Sequence, residues 1–483
     1  MDDLPKGRDH ARARPACSTC RARWYRALTG ALALIAAGSA QALTYVATSD
    51  ASLADLSDLV VVGRIAESAP EPGQELDATR YALQVEAVLQ GSTPGDVIQV
   101  RVPGAFDPSR AGALSIPGMP RFTAAERVLL FLDRTDDGTY AITQLALGAF
   151  RIGVGSAGEA LLERDLADAE EIGIAAGAAG ARRYRSLQRF RDWLVARGAG
   201  RVASDEYWAR PPSAGAPPAA KLAFEGLPPA RWFEFDEGRS VPFLAGETGQ
   251  AGLAGGGYAQ LQAALHEWNA EPLTNVHYAY GGTSPANGGL RRPDGVNQVL
   301  FNDPNEDLAG AFDCTRGGVL AYAGFRSGPP RTHNGLQFRP ISEVDITVQN
   351  GAGCILAGRS GKNAEEVIAH ELGHTLGLAH SCGDGGTLPC ISSTPPDEAL
   401  MRPTIHSDGR GAALNLDDRL TLAALYGDPA NPGSSPRAEE PAPAAPSQEG
   451  GGGAFDCTLL LLGIAGWRGR PRHCAGATRC RNE

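Results

Sequence analysis

Histidine is scarce in this chain, with 9 in 483 residues against 61 glycines. Long apolar runs are missing too. The two that stand out, Ala27 to Ala37 and Thr458 to Trp467, fall short of the ~20 residues a bilayer core demands, which argues against a spanning helix at either end. A basic surface is also lacking. With a net charge of -11 and a pI near 5.4, nucleic acid is excluded as a partner. No cysteine lies between Cys20 and Cys314, and Cys314, Cys354, Cys382 and Cys390 contain no C-x-x-C pair, so a thiol metal cluster is disfavoured. Nor does any acidic stretch carry the ligand spacing of a helix-loop-helix calcium hand.

What is present is concentrated. Three of the 9 histidines fall within His370-Glu371-Leu372-Gly373-His374-Thr375-Leu376-Gly377-Leu378-Ala379-His380, a pattern expected by chance with odds on the order of 10⁻⁵ to 10⁻⁴. Residues four apart lie on one face of a helix, so His370 and His374 can turn their imidazoles toward one metal ion. Gly377 sits where a helix commonly ends in a left-handed conformation that only glycine adopts cheaply. The turn there brings His380 round as a third ligand and leaves a fourth position for water. Glu371, offset by one residue from the first ligand, points beside the metal and is placed as general base. Zinc in such a site lowers the pKa of bound water toward about 7 and polarises a carbonyl, which is the chemistry of peptide hydrolysis.

The eleven-residue motif is the signature of the metzincin zinc peptidases, and this chain resembles that superfamily. Met401, in Ala399-Leu400-Met401-Arg402-Pro403, fits the methionine turn that should follow. Ser381 after the third histidine is similar to the matrixin (matrix metalloproteinase) choice, and Pro403 stands where astacin-like and serralysin-like proteins carry Tyr. Leu414 to Leu420 and Leu425-Tyr426-Gly427 extend the resemblance. Upstream, Arg231-Trp232 resembles the opening strand and Tyr258 to Trp268 the first helix. Asp294 to Phe301 reads as a strand, and Gly318 to Ala323 as the strand edging the cleft. The similarity covers roughly 228–428 and implies an α+β fold: a twisted mixed sheet, a zinc helix below the cleft, and a lobe carrying Met401. Tyr322 replaces a histidine that helps bind a second zinc in animal matrixins, which implies one zinc here. A propeptide cysteine commonly keeps matrixins latent, and none is available in this chain, so any latency must use something other than a thiol.

The remaining organisation is read from composition. Residues 1–42 resemble a signal peptide, basic up to Arg26, then apolar, then Ala40-Gln41-Ala42. Residues 43–165 show strand alternation at Tyr81, Leu83 and Val85, at Ile98, Val100 and Val102, and across Val128 to Leu132, which predicts a β-barrel or sandwich. A helical segment follows in 166–204, with Leu187, Phe190 and Leu194 on one face. Residues 205–227 form a Pro- and Ala-rich linker, 228–428 the peptidase domain, and 429–453 a low-complexity linker. In 454–483 an apolar stretch and basic tail, preceded by a glycine run, resemble the sorting tags of Gram-negative bacteria that a surface protease cuts. Export would make the environment oxidising, and of three pairings open to four cysteines, Cys314 with Cys354 and Cys382 with Cys390 are favoured. Asp303, Glu306, Asp307 and Asp313 are a candidate calcium cluster, although a solvated loop fits them better. Asp417 and Asp418 read as caps of the last helix. The chain is therefore read as an exported zinc endopeptidase acting on protein or peptide substrates, of oligomeric state not legible from the sequence. The competing reading is a zinc-binding but catalytically silent adhesin or assembly factor, against which Glu371 speaks.

Overall fold

A computed structural model describes residues 43–427, apart from 47, 72–76, 105–111, 156–157, 165–183, 203, 210–227, 309, 383–389 and 391–393. The expected signal peptide, most of the first linker, the second linker and the sorting tail with Cys457 lie outside the described residues. All described residues belong to one compact unit. None of their helices is long and apolar enough to cross a membrane.

The amino-terminal part opens with β1 (Leu43–Val46) and a short helix α1 (Asp50–Leu56) capped by the Ser49 side chain. Strands β2 (Leu59–Glu71), β3 (Ala78–Gln90), β4 (Val97–Pro103), β5 (Ala113–Ser115), β6 (Arg127–Arg134) and β7 (Tyr140–Ile142) follow. Next come β8 (Ala149–Val154), β9 (Ala160–Arg164), β10 (Tyr184–Ser186), helix α2 (Leu187–Gly198) and β11 (Trp208–Ala209).

Alternation explains these strands locally: Tyr81 and Leu83 in β3, and Ile98, Val100 and Val102 in β4, are all buried, with more exposed residues between them. Leu59 to Val62 and Val128 to Leu132 are buried continuously because β2 and β6 pair with each other beneath α1 and α2. The pairings β6–β2–β3–β4–β7 return to β6, with β4 and β7 parallel, so five strands form a closed ring that leaves no edge among them. Strands β8 to β11 extend the sheet from β6. Ser186 caps α2, whose Phe190, Trp193 and Leu194 are buried against this layer.

The carboxy-terminal part contains β12 (Ala230–Arg231), β13 (Val241–Gly246), helix α3 (Tyr258–Asn269), β14 (Tyr278–Ser284) and β15 (Gln298–Leu300). Strands β16 (Gly318–Ser327), β17 (Arg331–His333) and β18 (Leu336–Val348) precede helix α4 (Lys362–Thr375) and the last helix α5 (Leu416–Tyr426). Its sheet is mixed: β14, β13, β15 and β18 are parallel neighbours, while β16 runs antiparallel to β18. Helices α3 and α4 pack together, and Trp268 Nε1 donates to Ala369 O at 2.8 Å. With its mixed sheet and few helices, this part has the α+β arrangement expected of the zinc peptidase region.

Several boundaries drawn from the sequence need correction. The stretch expected as a strand from Asp294 narrows to β15, because the N–H groups of Asp294 and Gly295 turn instead to the Glu343 carboxylate. Residues 43–46 and 113–115, assigned to the amino-terminal domain, join the other sheet: β1 and β5 both pair with β16. Tyr207 to Ala209, assigned to the linker, are packed structure. The Tyr207 hydroxyl donates to Asp50 Oδ2 at 2.9 Å, and Trp208 and Ala209 pair with β10. Asp50 also holds Arg164 and Arg185, so this segment completes a buried ionic cluster.

Candidate metal centre

Helix α4 begins after Gly361, whose φ of +87° supplies the left-handed residue before the first turn. From Asn363 to Thr375 all but Glu365 are buried, so the helix runs through the core rather than over it. His370 and His374 therefore project from a rigid element. Their neighbours fix their roles. His370 Nδ1 donates to Leu400 O at 2.8 Å, and His374 Nδ1 donates to Leu378 O at 2.8 Å. Each Nε2 is left as an acceptor.

The helix stops at Gly377. Its φ is +89°, its N–H donates to His374 O at 2.9 Å, and Leu378 N–H returns to Gly373 O at 3.2 Å. A side chain there would run into the Ala230 carbonyl, so glycine is required both by conformation and by the close approach of β12. Three other groups anchor the helix end: Trp232 Nε1 donates to Thr375 O at 2.9 Å, Tyr426 Oη to Leu376 O at 2.8 Å, and Tyr278 shares a hydrogen bond with the Thr375 hydroxyl at 2.7 Å. The reversal delivers His380.

The three histidines converge. His370 Nε2 lies 2.8 Å from His374 Nε2 and 3.2 Å from His380 Nε2. Two ring nitrogens whose hydrogens are committed elsewhere repel each other at that separation unless a cation lies between them. Burial lowers the His370 pKa to about 4 and pushes those of His374 and His380 well below the usual histidine range, which keeps the rings neutral and able to donate electron pairs. Three neutral imidazoles on a helix and its following turn suit zinc. Among the described residues, this triad is the group of three or more His, Cys, Asp or Glu side chains that could hold a metal ion.

Glu371 is fully buried beside the triad. Burial raises its pKa to about 7, against hydrogen bonds that favour the charged form. Those bonds come from Thr44, whose N–H and hydroxyl donate to Oε1 at 3.2 and 2.7 Å, and from the backbone N–H of Ala323 in β16. Oε2 has no hydrogen-bond partner among the described residues.

Beneath the ligands, Met401 lies against Gly373, where an added methyl would meet its sulfur and the Trp268 ring at 2.8 Å. Asp418 does more than cap α5. Besides accepting from Asn415 N–H, it accepts from Leu400 N–H at 2.8 Å and Met401 N–H at 3.0 Å, and so holds the turn whose Leu400 carbonyl orients His370. Cys382 pairs with Cys390 just after the third histidine, and Cys314 pairs with Cys354 before α4.

The candidate calcium residues do not share a centre. Asp303 accepts from the N–H groups of Asp307 and Leu308, Asp307 pairs with Arg291, and Asp313 accepts from Thr315. Tyr322 is buried nearby, its hydroxyl pKa raised well above the ordinary value by burial and by the charges of Asp307 and Asp303. Thr44 was not singled out by sequence; a threonine at the start of an alternating stretch carries no signal of a partner 327 residues away.

Comparison with known proteins agrees with this geometry. The matrixin family model matches residues 297–427, which contain α4, all three histidines, Glu371 and Met401. The chain is also 41% identical over 66 residues to interstitial collagenase B of Mus musculus. That stretch covers 14% of this chain and 11% of the mouse protein.

Proposed function

Because this chain carries a matrixin-like catalytic domain, we propose that it is an exported zinc-dependent endopeptidase that cleaves protein or peptide substrates. The observation that carries the reading is the convergence of His370, His374 and His380 beside a buried Glu371 with one free carboxylate oxygen. His370, His374 and His380 would hold one zinc ion, which when bound acidifies water and polarises the scissile carbonyl.

The chain's own residues supply the rest. Leu400 and Leu378 carbonyls hold the first two rings so that each Nε2 would face a bound metal ion, and Gly377 sets the reach of the third. Glu371 takes a proton from the attacking water at Oε2 and passes it to the leaving amine. Met401 packs against Gly373 beneath the three histidines.

Residues 1–42 would direct export and the tail at 454–483 would be cut by a surface sorting protease. The ring of strands in the amino-terminal part is read as the predicted barrel. A silent zinc-binding adhesin would not need a base beside the metal.

The test is hydrolysis of a denatured protein by the zinc-loaded chain, compared with Glu371→Ala and with chelator followed by added zinc. Zinc-restored cleavage, reduced roughly 10²-fold or more in Glu371→Ala while zinc stays bound, is expected. Loss of zinc from that variant would refute the role given to Glu371.

A further inference from the structure

Strand β16 has one edge on β18 and would otherwise offer its other edge to solvent, where an extended peptide can be held by strand addition. That outer edge is occupied along its length. β1 pairs antiparallel with Gly318 to Tyr322, and β5 pairs antiparallel with Phe325 to Ser327. The Gln144 side chain accepts from Val319 N–H at 3.0 Å, and Arg326 reaches Asp77 and Gly112 O. All of these covering residues belong to the amino-terminal part.

β1 also enters the centre itself. Successive residues of a strand face opposite sides, and Tyr45 packs into the amino-terminal core while Val46 packs into the core of the zinc region. Thr44, on the same side as Val46, is 1% exposed and gives both its N–H and its hydroxyl to Glu371 Oε1. With β1 in place His370 is 3% exposed and Glu371, His374 and His380 are 0% exposed, so no peptide can reach them.

We infer that β1 is an inhibitory strand: residues 43–46 lie where an extended substrate would pair with β16, and Thr44 seals the base from substrate by bonding its Oε1, so the chain folds in a latent form. A strand that served only to protect a sheet edge would need its backbone pairing with β16 and nothing more. The two bonds from Thr44 to Glu371 Oε1 add nothing to that protection, and they fasten the strand to the side chain that a substrate must reach. Latency here uses strand pairing and a hydroxyl in place of a thiol. β5 and the shared core hold the rest of the amino-terminal part on β16, so withdrawal of β1 alone opens the centre. The inference rests on the peptidase reading above and extends it to regulation.

The test uses the zinc-loaded full chain in three forms: intact, Thr44→Pro, and a form with a restriction-protease site inserted between Thr48 and Ser49 and cut after folding. Proline removes the Thr44 N–H and hydroxyl together and sets a ring carbon against Glu371, which should expel β1. The first readout is binding of a fluorescein-labelled tripeptide hydroxamate, and the second is peptide hydrolysis with Glu371→Ala as control. At least tenfold tighter hydroxamate binding is expected for Thr44→Pro and for the cut form than for the intact chain. Equal affinity in all three forms overturns the inference. Tighter binding with no hydrolysis in any form would leave the strand's role standing and refute the peptidase reading. Glu371-dependent hydrolysis that is equally fast in all three would do the reverse.

Discussion

Replacing Gly377 by alanine tests how the third ligand is delivered. The residue has a φ of +89°, where a side chain costs about 1–2 kcal/mol. An added methyl would also overlap the Ala230 carbonyl oxygen and come within 3.0 Å of its carbon. Those are backbone atoms of β12, paired with β18 and followed by Trp232, so they cannot swing aside as a flexible side chain would. Overpacking of this kind costs about 1–3 kcal/mol. Together the two effects predict a loss of about 2–5 kcal/mol, measured by urea unfolding of the full chain. The chain turn after α4 should shift with it, moving His380 and weakening zinc binding, which a competition titration against a chelator would read. Gly377→Ala that unfolds within about 0.5 kcal/mol of the parent and holds zinc equally well would refute this account of the turn.

Other consequences can be measured in the same way. Asp418→Ala leaves the buried N–H groups of Leu400 and Met401, and the half-buried N–H of Asn415, without their acceptor, and should destabilise the chain by about 3 kcal/mol or more in urea unfolding. On the chain-entropy view, breaking Cys314–Cys354, whose ends are 40 positions apart, should cost about 4 kcal/mol; breaking Cys382–Cys390, 8 positions apart, should cost about 2.5 kcal/mol. Cys354→Ser and Cys390→Ser variants that unfold in the opposite order would contradict it. Burial raises the Asp133 pKa to about 6, despite a bond from Thr143 that favours its charged form. A carboxyl whose folded pKa is raised binds protons more readily when folded, so its contribution to stability falls as pH rises from about 4 through 6. Asp133→Asn should therefore be more stable than the parent at pH 7, by on the order of 1–2 kcal/mol after allowance for its partial exposure, and the advantage should vanish at pH 4.

How much of this was legible in the sequence depended on distance along the chain. The candidate zinc ligands fall within eleven positions, and helical periodicity plus one glycine turn place them, so local rules suffice. The alternating strands of the amino-terminal part were readable for the same reason. What could not be read was which edge β1 and β5 would join. Thr44 pairs with Ala321 and Leu114 with Arg326, and nothing in the short segments 43–46 or 113–115 specifies a partner more than 200 residues on. Asp418 was legible as a helix cap because Asn415 lies three residues before it, but its hold on the Met401 turn depends on a contact that the sequence does not announce. Tyr207 looked like linker because it precedes a Pro- and Ala-rich run, whereas its hydroxyl is bound to Asp50, 157 residues earlier.

The central claim is that His370, His374 and His380 together hold one zinc ion. X-ray absorption at the zinc edge of the purified full chain, with metal content measured alongside, tests it without requiring activity. The account predicts one zinc per chain with three imidazole nitrogens at about 2.0–2.1 Å and a light-atom fourth ligand. Sulfur scatterers at about 2.3 Å, or zinc that remains at full occupancy in His374→Ala, would contradict it.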